Sequence, residues 1–120
     1  MPHLHLEYTA NLTQLDTDMA LLRLNHALVA SGQFGAEFDI KSRSFKVESF
    51  RVGTGMNARG FVAVRLALLS GRSAQVKKQL SDSLLAALQD LGDWPADLQV
   101  QLSVQVVDMD RDSYGKVVIG

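Results

Sequence analysis

A strand–helix–strand pattern is written twice into this chain, over about residues 2–52 and again over 61–110, and that duplication restricts the fold more than any other feature. The first half opens on His3-Leu4-His5-Leu6-Glu7-Tyr8. Leu4, Leu6 and Tyr8 point one way along it, and His3, His5 and Glu7 the other. A turn-rich stretch from Thr9 to Leu15 leads to Asp16-Thr17-Asp18, residues suited to cap a helix and to sit at its positive dipole end. Met19, Leu21, Leu22, Leu24, Leu28 and Val29 form the predicted apolar stripe of that helix, and Gly32 ends it at the C′ position. Phe38 to Val52 reads as a strand with a broken period. Phe45 and Val47 share one parity and Phe50 and Val52 the other, which predicts a bulge or a change of face near Glu48-Ser49.

The second half follows the turn Gly53-Thr54-Gly55-Met56-Asn57. Phe61 to Leu69 is almost wholly apolar, the look of a strand covered on both faces and usually paired in parallel. Ser73 is the predicted N-cap of a second helix, along which Val76, Leu80, Leu84, Ala87, Leu88 and Leu91 recur at helical spacing until Gly92 and Pro95. In the last long strand Leu98, Val100, Leu102, Val104 and Val106 alternate with Gln99, Gln101, Ser103 and Gln105. Tyr114 to Ile119 has the length for one more short strand.

Two right-handed βαβ units merge into one four-stranded sheet with both helices on one face. The expectation is therefore a single α+β domain over residues 1–120, in two layers. No third helix is available for the opposite face, which is polar but rich in glutamine rather than lysine. Two readings stand: several subunits pack their sheets together, or the chain is a monomeric ferredoxin-like domain with one solvated face.

Composition excludes several classes. Twelve basic side chains face thirteen acidic ones, and a net charge of −1 gives no electrostatic footprint for nucleic acid. With no cysteine, thiolate nucleophiles, disulfides and cysteine-bound zinc are all ruled out. No apolar run has the length to span a bilayer, and no charged-then-apolar leader opens the chain, so a cytoplasmic location is expected.

Few residues are left to carry chemistry. His3 and His5 share a strand face without a third ligand, so no metal site is expected, and His26 falls on the flank of the first helix. Pro2 follows Met1 directly, and removal of Met1 would leave a secondary amine at the head of a strand. An α-amino group has an ordinary pKa of roughly 7.7–8.0, which burial and nearby cations lower, so such a nitrogen could act as a neutral base. Proline is equally tolerated as a strand's first residue for purely structural reasons. Arg72, in the turn Gly71-Arg72-Ser73, opposes the helix dipole, but beside free N–H groups its guanidinium suits a carboxylate. Arg43 offers the same group within a strand. For both, the alternative is a surface ion pair worth under about 1 kcal/mol. Arg65, inside the apolar strand, is expected to pair with an acid at a subunit contact.

These features together resemble the tautomerase superfamily, and within it the 5-carboxymethyl-2-hydroxymuconate Δ-isomerase branch. The resemblance rests on Met1-Pro2-His3 opening a strand, Glu7, Asn11, the helix ending at Gly32, Ile40-Lys41-Ser42-Arg43, Leu69-Ser70-Gly71-Arg72-Ser73, and Val106-Val107-Asp108-Met109. It runs from residue 2 to about residue 110, while the loop 51–60 and the tail after Asp110 depart from the branch's pattern. The resemblance implies a homotrimer and a cofactor-free isomerase acting on a small di- or tricarboxylate. It also implies Pro2 as the base, Arg43 and Arg72 as carboxylate holders, and Phe34 as an apolar wall. A non-catalytic oligomeric binder of small carboxylates, and a related tautomerase acting on another substrate, are the two other readings.

Overall fold

A computed structural model describes residues 1–92 and 94–120. Four strands and two helices follow the expected order: β1 (His3–Thr9), α1 (Thr17–Ala30), β2 (Lys41–Val47), β3 (Arg59–Leu69), α2 (Ala74–Asp90) and β4 (Gln99–Met109). The sheet order is β2-β1-β3-β4. β1 pairs in parallel with β2 and β3 with β4, while the two halves meet through the antiparallel pair β1–β3.

Both helices start and stop on the same devices. Asp16 accepts from the Met19 amide at 3.1 Å, and Ser73 from the Val76 amide at 3.2 Å, so each side chain satisfies an otherwise free donor. Gly32 and Gly92 stand just beyond the helices with φ of 74° and 68°, a left-handed conformation that favours glycine. The buried lines also correspond: Ala20, Leu24 and Leu28 on α1, Leu80, Leu84 and Leu88 on α2. Each pair is sixty residues apart, so the duplication read from the pattern is present in the packing.

These lines meet Leu4 and Leu6 of β1 and Val62, Val64, Leu66 and Leu68 of β3 in one core. Five expectations change in detail. Met19, Leu22 and Val29 are 43%, 51% and 46% exposed, because only the i, i+4, i+8 line of α1 faces the sheet. β3 is not covered on both faces of the chain: its residues alternate between buried and partly or fully exposed, and it pairs antiparallel on one side. The strand expected from Phe38 to Val52 is only Lys41–Val47, preceded by a 3-10 turn at Glu37–Asp39. There is no bulge at Glu48-Ser49. The chain leaves the sheet, and Phe50 folds edge-on to Phe61 with ring centres 6.3 Å apart, which is why its parity changes. The segment Tyr114–Ile119 is not a strand; after a turn at 111–113 it crosses the end of the sheet.

Register sets the helix-free face. Lys41, His3, Ala67 and Val107 form one row across it, and Arg43, His5, Arg65 and Gln105 the next. The start of β1 and the end of β3 lie at one end of the sheet, since His3 stands opposite Ala67.

Candidate active site

Pro2 sits at that end, fully buried, with its carbonyl accepting from the Lys41 amide at 3.1 Å. The Met1 amine donates to the Asp39 carbonyl at 2.8 Å, and Met1 Sδ accepts from the Leu69 amide at 3.3 Å. Burial first, then the hydrogen bond and charge of Lys41 and the charge of Lys116, lower this amine from 8.0 to about 5, against the opposing charge of Asp39. An amine so placed is a free base at neutral pH.

Asp39 organises the cations. Lys41 Nζ donates to its carbonyl at 2.6 Å, and Lys116 pairs with its carboxylate. Lys116 also stands 5.8 Å from the centre of the Phe38 ring. The hydrogen bond from Lys116 holds the Asp39 carboxyl below its ordinary range. Beside this group a cavity of about 380 Å³ opens between Phe38, Lys41, Tyr114 and Lys116.

Arg43 reaches the same end from the helix-free face. Its Nη2 donates to His3 Nδ1 at 2.9 Å. Nδ1 must then be the acceptor, so Nε2 carries the proton and donates to the Tyr114 hydroxyl at 3.1 Å. Burial, then the charges of Arg43, Lys41, the amino terminus and His5, lower the pKa of His3, in keeping with a neutral ring. His5 is lowered likewise, by burial and then by Arg43 and Arg65, against Glu7.

Arg72 stands over Phe34, its guanidinium 5.0 Å from the ring centre. Its Nε and Nη2 donate to Gln33, at 3.3 Å to Oε1 and 2.9 Å to the carbonyl. Two of its five N–H groups are used, and three remain for a ligand. The four residues singled out from sequence thus fall into contact groups: Phe34 with Arg72, Arg43 with His3, and Pro2 with Lys41 and the Met1–Asp39 pair. Sequence reasoning weighed His3 only as a metal ligand, quoted Lys41 only as part of a motif, and gave no role to Asp39, Tyr114 or Lys116. Lys41 was accessible to it, two residues before Arg43 and therefore on the same strand face. Nothing in the aperiodic tail signalled Tyr114 or Lys116. Arg65 and His26 are both exposed. Among the described residues no acidic side chain forms a salt bridge with Arg65 within the chain.

A second cavity, about 220 Å³, lies at the opposite end of the sheet, between Leu12, Met19, Arg23 and Trp94. Among the described residues no cluster of three or more His, Asp or Glu side chains is placed to hold a metal ion, and no helix is long and apolar enough to cross a membrane.

The sequence profile of the 5-carboxymethyl-2-hydroxymuconate isomerase family matches residues 2–118. No curated protein sequence matches the chain at a significant level. Among solved structures, a 5-carboxymethyl-2-hydroxymuconate isomerase from Deinococcus radiodurans R1 is 29% identical, with a TM-score of 0.86 over 97% of this chain and 88% of that one. A 5-carboxymethyl-2-hydroxymuconate delta-isomerase is 17% identical, with a TM-score of 0.71 over 98% and 88%. A fused 4-OT protein, solved as a symmetric trimer, has the same fold at 17% identity, with a TM-score of 0.70 over 96% and 93%. With the profile spanning nearly its whole length, the chain belongs to the 5-carboxymethyl-2-hydroxymuconate isomerase family, within the tautomerase superfamily, and is an isomerase.

Proposed function

We propose that this isomerase is a cofactor-independent tautomerase whose base is the nitrogen of Pro2, freed by removal of Met1. Its substrate is a 2-hydroxymuconate-type dienol acid, 5-carboxymethyl-2-hydroxymuconate or a close analogue, which it converts to the 2-oxo-enoate. The observation that carries this reading is the placement of Pro2, fully buried beside Lys41 at the end of the sheet where burial, Lys41 and Lys116 lower the Met1 amine to about 5. With Met1 present the Pro2 nitrogen is an amide and has no basic lone pair. With Met1 gone it becomes the terminal amine at the same end of the sheet.

The mechanism follows from these groups. Neutral Pro2 nitrogen takes the 2-hydroxyl proton. The O–H electron pair becomes the carbonyl double bond, the conjugated double bonds shift, and the prolinium returns its proton to a carbon further along the chain. No proton is gained or lost overall. The free N–H groups of Arg72 and Arg43 hold the carboxylates and stabilise the negative charge of the dienolate. Phe34 walls the pocket against water. Proton transfer supplies on the order of 10²–10⁴-fold of the rate, and positioning with electrostatics the rest.

A homotrimer joined through the helix-free sheet faces belongs to the same proposal. It is supported by that uncovered face and by the trimer in which the fused 4-OT protein is solved. A place in the cytoplasmic breakdown of aromatic compounds completes it, in keeping with a chain that has no cysteine.

Intact mass and turnover of 2-hydroxymuconate, for the native chain and Pro2→Ala, test the reading. Absence of Met1, turnover by the native chain and loss of most activity in Pro2→Ala are expected. Retained Met1, or a mutant equal to the native chain, sinks the catalytic claim. Binding of the dienol without turnover would make the chain a carboxylate-binding protein instead.

A further inference from the structure

Arg43 has two partners within reach on its own sheet face and takes the weaker one. In the β1–β2 register it stands opposite His5, with His3 two residues toward Pro2 and Glu7 two residues the other way. Two residues along a strand span about 6.6 Å, so the side chain can follow either diagonal. A carboxylate is the stronger partner for a guanidinium, being opposite in charge and able to accept two parallel hydrogen bonds. Among the described residues Arg43 nonetheless forms no salt bridge. Its Nη2 donates to His3 Nδ1 at 2.9 Å instead.

The His3 ring is held for that contact from its far side. Nε2 carries the proton and donates to the Tyr114 hydroxyl at 3.1 Å, and the two rings meet edge-on with centres 6.1 Å apart. Nδ1 therefore keeps its lone pair toward Arg43. A neutral acceptor leaves the guanidinium charge uncompensated, where Glu7 would neutralise it. It also takes one of the five N–H donors, where a carboxylate would take two. His3 is bonded directly to Pro2, so the contact ties the guanidinium to the end of the sheet at which Pro2 is buried. Turned to Glu7, the same group would point away from that end.

Resting on the tautomerase reading of this site, we propose that His3 is the positioning residue of Arg43. It is a neutral acceptor beside the base that diverts the guanidinium from Glu7 and keeps its charge open for the substrate. Tyr114 supports it by fixing the plane and tautomer of the ring.

The test is calorimetric binding of hexanedioate, an unreactive diacid, to the Met1-free chain, together with steady-state rates on 2-hydroxymuconate. His3→Ala frees Arg43 to turn to Glu7. It is expected to weaken hexanedioate about tenfold, the scale of one charge-assisted contact, and to raise KM by a similar factor with a smaller change in kcat. Glu7→Gln alone is expected to change binding less than about twofold, because Arg43 already faces away from Glu7. In the His3→Ala background Glu7→Gln is expected to restore most of the lost affinity, since the competing carboxylate is gone; this coupling is what the cycle reads. His3→Asn, whose amide oxygen takes the place of Nδ1, is expected to stay within about threefold of the native chain. Thermal melting and sedimentation check that each variant is folded and assembled like the native chain. Should Glu7→Gln fail that check, the contrast between His3→Asn and His3→Ala decides. Native-like binding by His3→Ala overturns the inference, as does a double variant no tighter than His3→Ala, or a native chain that does not bind hexanedioate. Turnover tests the underlying reading separately. A loss in His3→Ala that Glu7→Gln restores, without any turnover by the native chain, supports the role of His3 and sinks the isomerase mechanism. Turnover that depends on Pro2, with no coupling between His3 and Glu7, does the reverse.

Discussion

A proline nitrogen is a good base when it ends a chain and no base when it is acylated, so in the proposed mechanism a single peptide bond decides whether Pro2 can act. A chain carrying two extra residues before Pro2 is expected to lose at least about a hundredfold in kcat/KM while keeping its fold, as checked by steady-state rates and circular dichroism. In the Met1-free enzyme the acid limb of kcat/KM is expected below the ordinary α-amino value, because Pro2 is buried at the end of the sheet where burial, Lys41 and Lys116 lower the Met1 amine. Lys116→Gln removes one cation and releases the Asp39 carboxylate. Both changes favour the protonated amine, so the limb moves to higher pH; an unmoved or lowered limb contradicts the role of Lys116. The same shifts fix the sign of pH-dependent stability in the Met1-bearing chain. Its amine falls from 8.0 to about 5 on folding, and His3 and His5 are also lowered. As pH falls the unfolded chain takes up these protons first, so stability present at pH 8 is lost toward pH 5. The melting temperature is expected to be lower at pH 5 than at pH 8.

At the scale of the elements, the two halves are energetic as well as topological twins. Leu24 and Leu84 stand sixty residues apart, each fully or almost fully buried against the same sheet face. Leu24→Ala and Leu84→Ala are each expected to cost about 2–5 kcal/mol in denaturant unfolding, with similar values if the repeat equivalence extends to packing. Gly60 marks where the halves are sewn together. A Cβ there would lie 2.7 Å from Thr9 Oγ1 and 3.0 Å from Asn11 Oδ1. Those side chains are already committed: Thr9 Oγ1 accepts from the Phe61 amide at 3.1 Å, and Asn11 Nδ2 donates to the Arg59 carbonyl at 2.8 Å. Gly60→Ala is therefore expected to cost about 1–3 kcal/mol, read by the same unfolding experiment. The helices and strands β1, β3 and β4 were legible because period and caps agree, Asp16 with Gly32 and Ser73 with Gly92. The segment Phe38–Val52 was not, because parity alone cannot tell a strand that changes face from one that has ended. Phe50 is apolar for its contact with Phe61, not for a place in β2. The tail was illegible for a related reason: Tyr114 and Lys116 are held by single side-chain contacts, which leave no periodic trace.

For the molecule as a whole, shape argues against a lone protomer. Its accessible surface is 7449 Å², where a compact monomer of 13.1 kDa exposes about 6,400 Å². Its radius of gyration is 15.4 Å against about 13.6 Å for a compact chain of this length, with extents of 46 × 28 × 24 Å. The excess fits an open sheet and a tail that crosses its end, and the absence of a third helix makes the uncovered face legible in the sequence. Sequence could not say which groups the register aligns on it. Arg43, His5 and Arg65 fall in one row, with Glu7, Ala63 and Ser103 in the next. Among the described residues Arg65 has no salt bridge on this face, whereas a neighbouring copy would supply an acid and cover the concave patch of about 260 Å³ around Ala63. Ala63 carries no large side chain, so Ala63→Arg inserts bulk and charge at the middle of that patch without disturbing the helix-facing core. Sedimentation of the native protein is expected to give a trimer, and Ala63→Arg a smaller species with retained secondary structure. The variant should also melt at lower temperature, because assembly stabilises the fold by mass action. A native protein that sediments as a monomer at micromolar concentration would instead favour the solvated-face reading, and Arg65 would then be a surface residue.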